Sequence, residues 1–168
     1  ADLVISNGET FSAVGGDINL QDSHIQAPGG SVLLVSNQGA GIWNLNESGW
    51  GQQSGQQGSI EINHLQPASL SLPSITTSDP VNEIGGGNIQ LTAEKINLNQ
   101  AVLSVHSFDD RPGGNVTIQG DVISLSNGTF VSTDSFGSQG AGNVFIKTGE
   151  LSLSQKSGIA SDSYFSGS

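Results

Sequence analysis

Five short motifs of one pattern recur along the chain, and no other feature constrains the fold as tightly. Gly87-Asn88-Ile89-Gln90-Leu91 is echoed by Gly114-Asn115-Val116-Thr117-Ile118 and by Gly142-Asn143-Val144-Phe145-Ile146, at spacings of 27 and 28 residues. Upstream, Gly58-Ser59-Ile60-Glu61-Ile62 lies 29 residues before the first of these, and Gly16-Asp17-Ile18-Asn19-Leu20 a further 42. Self-similarity at a period of this length is the mark of a solenoid.

Within a repeat, three short runs alternate apolar and polar residues, the period-2 pattern of half-buried strands. Ile89/Leu91, Ile96/Leu98 and Val102–Val105 form one set, and Val116/Ile118, Ile123/Leu125 and Phe130–Thr133 the next. Val144/Ile146, Leu151/Leu153 and Ile159–Ser161 complete a third. Each run offers only two or three inward residues, so no repeat can bury a core by itself and the repeats must stack. The predicted fold is all-β: a right-handed parallel β-helix of five to six coils, with 27–29 residues and three short strands per coil. The whole chain, 1–168, reads as one β-helix segment.

Stacking in register predicts ladders of like residues. Asn88, Asn115 and Asn143 fall at one level, with Asp17 and Ser59 in the same place on the two earlier coils. Ile75, Leu103, Val131 and Ile159 form an apolar column, and Phe108, Phe136 and Tyr164 an aromatic one. Two stretches break the pattern. Residues 37–57 hold both Trp and a Gly/Gln-rich run, and read as an insertion loop; residues 73–85 read as an irregular loop between coils.

Composition agrees with this architecture. There are 24 Gly, and Ser, Thr, Asn and Gln number 26, 8, 13 and 13, while charged residues make up only 11%. With 15 acidic and 4 basic residues the net charge is -11, which repels nucleic acid and anionic membranes. No apolar run reaches the roughly 18 residues of a membrane helix, and the absence of Cys removes disulfides and thiolate metal sites. The chain has no Met and stops within a turn of the repeat, so the expectation is a piece of a longer polypeptide continuing in both directions.

Candidate chemistry is sparse. Asp134 and Asp162 align one coil apart, where a divalent cation would bridge them, yet both are expected to face water and remain weak calcium candidates. His24, His64 and His106 lie in different repeats without zinc-site spacing and read as solvated or locally bonded. Arg111, in Asp109-Asp110-Arg111-Pro112, reads as an exposed turn. Trp43 and Trp50, both in the insertion, are the candidate ligand-binding residues, since exposed indoles stack on sugars or anchor an interface. Neither a catalytic residue nor a cofactor is predicted. Regular Thr-x-Thr arrays of an ice-binding face are missing; only isolated pairs such as Thr76-Thr77 occur.

The run Phe11-Ser12-Ala13-Val14-Gly15-Gly16-Asp17-Ile18, followed by Gln26-Ala27-Pro28-Gly29-Gly30-Ser31-Val32-Leu33-Leu34-Val35-Ser36, resembles secreted exoproteins of the filamentous haemagglutinin type. The segments at 113–116, 125–128 and 132–138 look like repeats of the same family, of the kind seen in cyanobacteria and related bacteria. The resemblance implies two-partner secretion through an outer-membrane pore, a location outside the cell, and a structural or adhesive role. Implied partners are the rest of the same polypeptide or neighbouring subunits at the open β-helix ends, and surface glycans or other cells. It carries over no catalytic residue. The alternative expectation is a polysaccharide-binding or polysaccharide-cleaving β-helix.

Overall fold

The computed structural model describes residues 2–46, 49–65, 72–79, 82–108 and 112–164, with the side chains of 40–46 and 49–55 outside that description. Its strands are β1 (Asp2–Val4), β2 (Phe11–Gly15), β3 (Ile18–Gln21), β4 (His24–Gln26), β5 (Val32–Ser36), β6 (Gln38–Asn46), β7 (Gly49–Gln56), β8 (Ser59–Asn63) and β9 (Ser74–Thr76). They continue as β10 (Ile89–Thr92), β11 (Lys95–Asn99), β12 (Val102–Ser107), β13 (Val116–Gln119), β14 (Val122–Ser126), β15 (Phe130–Ser135), β16 (Val144–Lys147), β17 (Glu150–Leu153) and β18 (Gly158–Ser163).

The chain visits three parallel sheets in turn. Sheet 1 is ordered β1-β4-β9-β12-β15-β18, sheet 2 β2-β5-β10-β13-β16, and sheet 3 β3-β8-β11-β14-β17. This cycling is a parallel β-helix of about five coils. The last coils advance by 27 and 28 residues, as the hydrogen bonds from Asn115 to Asn88 and from Asn143 to Asn115 record.

Inward side chains line up in columns. Ile18, Ile60, Ile96, Ile123 and Leu151 share one level of sheet 3, and Val32, Ile89, Val116 and Val144 one level of sheet 2. The predicted column Ile75, Leu103, Val131 and Ile159 is present on sheet 1, preceded by Ile25. Ile75, Leu103 and Val131 are wholly buried, whereas Ile159 in the last rung is 36% exposed. Two polar members of the inner face are satisfied by backbone: Thr77 and Thr133 donate their hydroxyls to the carbonyls of Gly87 and Gly142 at 3.1 and 2.9 Å.

The corner entering sheet 2 explains the glycine of the motif. A Cβ on Gly87, Gly114 or Gly142 would collide with the carbonyl oxygen of Gly30, Gly87 or Gly114 respectively. The coils approach one another too closely there for any side chain. The opposite corner, from sheet 3 to sheet 1, bends through left-handed residues: Asp22 (φ 44), Gln100 (φ 53), Asn127 (φ 55) and Gln155 (φ 52).

Three expectations need correction. Gly16-Asp17-Ile18 and Gly58-Ser59-Ile60 do not open sheet 2: β3 and β8 belong to sheet 3, where Ile18 and Ile60 lie level with Ile96 rather than Ile89. Strands of both sheets read Ile-x-Ile or Ile-x-Leu, so alternation cannot tell them apart. The early coils are accordingly uneven, with Phe11 level with Val32 but Val32 level with Ile89. Residues 73–85 are not irregular throughout, since Ser74–Thr76 is strand β9; the loop proper follows and is pinned by an antiparallel bridge between Asp79 and Ile84. The insertion, finally, is not a loop but an antiparallel hairpin, β6 with β7, between β5 and β8.

Candidate functional site

Because side chains alternate across a strand, sheet 1 presents its second set outward. One row runs Asp2, His24, Ser74, Val102, Phe130 and Gly158; the next runs Val4, Gln26, Thr76, Ser104, Ser132 and Ala160. A third row, His106, Asp134 and Asp162, flanks them on the later coils. Small hydroxyl residues in the middle, bordered by larger ones, create a groove of about 530 Å³ across β1, β4, β9 and β12, whose lining includes His24, Gln26, Thr76, Val102, Ser104 and His106.

The polar groups of this face are tied together. Ser74 Oγ lies 2.9 Å from His24 Nδ1, and His24 Nε2 is 4.0 Å from Asp2 Oδ1. Gln26 Nε2 donates to the Ser78 carbonyl at 3.1 Å, and the hydroxyls of Thr76 and Ser78 meet at 2.8 Å. Asp2, His24 and Ser74 thus stand in one line with the residue types of a hydrolase triad. The geometry departs from it: the carboxylate is beyond hydrogen-bond range of the ring, and the nearby N–H groups of Ser74 and Thr77 are committed to the carbonyls of Ser23 and Ser104.

Asp134 departs from its expected exposure. It is 9% exposed, and its Oδ2 lies 3.2 Å from His106 Nε2 one rung earlier. Asp162, the next rung, is exposed. The two carboxylates do occupy adjacent rungs as predicted, but a histidine shares the site. Among the described residues no group of three or more His, Cys, Asp or Glu is arranged to hold a metal ion.

The aromatic column is present. Phe108 stacks on Phe136 at 5.3 Å and Phe136 on Tyr164 at 4.9 Å, with rings within 9° of parallel. His106 meets Phe108 and Phe136 edge-on at 6.0 and 5.9 Å, so one cluster joins the aromatic column to the His106–Asp134 pair. The neighbouring Asp162 carboxylate, more than partial burial or the further Asp134, raises the Tyr164 pKa above its ordinary value.

The asparagine ladder is real and bonds chiefly to the backbone, with one long carboxamide-to-carboxamide contact, Asn143 Nδ2 donating to Asn115 Oδ1 at 3.5 Å. Asn88 Oδ1 accepts the N–H of Asn115 at 2.8 Å, and Asn115 Oδ1 accepts that of Asn143 at 2.9 Å. Ser31, not Asp17 or Ser59, holds this place on the preceding coil, its Oγ accepting the N–H of Asn88 at 3.3 Å. Asp17 does a related job on sheet 3. Its Oδ1 accepts the Ser59 N–H at 2.8 Å, Gln38 Nε2 at 2.8 Å and Ser59 Oγ at 3.0 Å. Those bonds, the backbone one foremost, hold the carboxyl below its ordinary pKa.

His64, buried, sits 2.9 Å from Asp22 Oδ1, so each of the three histidines has an aspartate of another coil beside it. Only His106 and Asp134 were detectable from the 28-residue period. The uneven early coils conceal the other two pairs. Trp43 lies opposite Gln52 and Trp50 opposite Leu45 in the hairpin, and their side chains lie outside the described ones; Asp109, Asp110 and Arg111 are likewise outside the described residues. No protein family, curated protein or solved structure matches this chain.

Proposed function

We propose that the chain is a shaft segment of a secreted adhesive exoprotein of the filamentous haemagglutinin type, acting outside the cell and without catalysis of its own. The observation that carries this reading is axial repetition. Gly87, Gly114 and Gly142, then Asn88, Asn115 and Asn143, then Phe108, Phe136 and Tyr164, occupy the same stations on successive coils. A shaft built this way lengthens by adding coils without redesigning any contact, since each repeat interacts chiefly with its neighbours. Low charge on the stacked strands supports the reading, because like charges one rung apart repel.

Beads coated with the purified chain are expected to be retained on cell layers under flow more than beads carrying the heat-unfolded chain. Equal retention would overturn the adhesive reading. A second reading, a polysaccharide-binding or polysaccharide-cleaving β-helix, is favoured by the groove on sheet 1. Release of reducing ends from a polysaccharide by the purified chain would establish its cleaving form.

A further inference from the structure

We infer that the outer groove of sheet 1 is the contact surface of the adhesive shaft and that its ligand is a neutral polysaccharide chain, laid along the β-helix axis. The inference rests on the adhesive reading and supplies its ligand class.

Four observations carry it. The first is shape: the groove of about 530 Å³ crosses four successive rungs, β1, β4, β9 and β12, so a chain laid along the axis meets all four. Rungs spaced about 4.8 Å apart repeat on the scale of one sugar ring, so a linear glycan laid along the axis sets about one ring against each rung. The second is chemistry. Thr76 and Ser104 on the floor, with Gln26, His24 and His106 at the sides, offer hydroxyl, carboxamide and imidazole groups. Hydroxyls and carboxamides both donate and accept, as the hydroxyls of a sugar do. Val102 supplies an apolar wall, continued by the 43% exposed Phe130 on the next rung, against which the C–H face of a pyranose packs.

The third observation is charge. Among the described residues the groove lining contains no Lys or Arg and one carboxylate, Asp2, and the chain carries a net charge of -11. An anionic polymer is therefore repelled, and a neutral one is not. The fourth concerns the backbone. On the inner rungs β4, β9 and β12 the backbone N–H and C=O groups are spent on parallel pairing to both sides. Among the described strands of the groove only the outer edge of β1 leaves a ladder for a peptide strand, so across the face itself recognition falls to side chains.

The test is calorimetric titration of the whole chain with soluble oligosaccharides of cellulose and of chitin, with polygalacturonate as the anionic probe. Binding of at least one neutral oligosaccharide and none of polygalacturonate is expected. Ser104→Phe, which fills the floor of the groove from an outward position, is expected to weaken binding about tenfold or more. Thr76→Tyr, one rung away, is the second variant should the first lose its melting transition. No neutral oligosaccharide binding by the folded chain, tighter binding of polygalacturonate, or unchanged affinity in both folded variants would overturn the inference. Bead retention separates the two proposals. If beads are retained on cells but neutral oligosaccharides neither bind nor compete, the ligand class is wrong and the adhesive reading stands; if beads are not retained, the adhesive reading falls, whatever the titration gives.

Discussion

Glycine at the sheet 2 corner is fixed by its neighbours along the axis rather than by its own dihedrals. At Gly114 the conflict is with Gly87 O, part of the backbone of the coil before, and backbone cannot rotate aside as a side chain would. Gly114→Ala is expected to cost about 3 kcal/mol or more, read as a large fall in melting temperature. Gly140→Ala, where nothing lies within 4 Å of the added methyl, is expected to stay within about 0.5 kcal/mol. Equal effects would show that corner crowding is not what selects glycine. The asparagine that follows works differently. Its side-chain oxygen caps the next coil's N–H, so the Gly-Asn pair combines a steric demand with a hydrogen bond at consecutive residues.

Among the elements, the hairpin β6–β7 is joined to the coils at a polar clamp. Asp17 at the start of β3 accepts from Gln38 on β6 and from Ser59 on β8, so one carboxylate ties the hairpin's first strand to two coils. Its folded pKa is lowered. The stabilisation is therefore complete above the ordinary carboxylate range and is lost as pH falls through the lowered folded value. Asp17→Asn keeps an acceptor oxygen but no charge. The melting-temperature difference between the wild type and this variant is expected to be present at neutral pH and to close in strong acid. A constant difference would contradict the assignment. That β3 and β8 belong to sheet 3 was not legible from their sequence. Ile18/Leu20 and Ile60/Ile62 have the same spacing as Ile89/Leu91, and only pairing with β11 distinguishes the sheets. The hairpin escaped a pattern reading for another reason, since Gly and Gln dominate β7 and leave no apolar alternation to find.

In the molecule as a whole, stability is distributed along one axis, as in a one-dimensional stack. Ile89, Leu91, Ile96, Leu98, Ile118 and Ile123 in the middle coils are wholly buried, while Leu151 and Leu153 in the last coil are 42% and 44% exposed. Hydrogen exchange on the 168-residue chain is expected to be slowest in β10 to β14 and much faster in β16 to β18; uniform protection would mean a single cooperative unit. The sequence alone determined that the chain is a stack of three-stranded coils, and it placed the Asn, aromatic and apolar columns of the later coils. It could do so because a constant period turns spacing along the chain into position along the axis. Tertiary structure alone decided the phase of the early coils, the burial of Asp134 beside His106, and the groove on sheet 1. In the early coils the lengths differ, so Asp2, His24 and Ser74 become neighbours only through strand pairing, and no spacing in the sequence encodes their meeting.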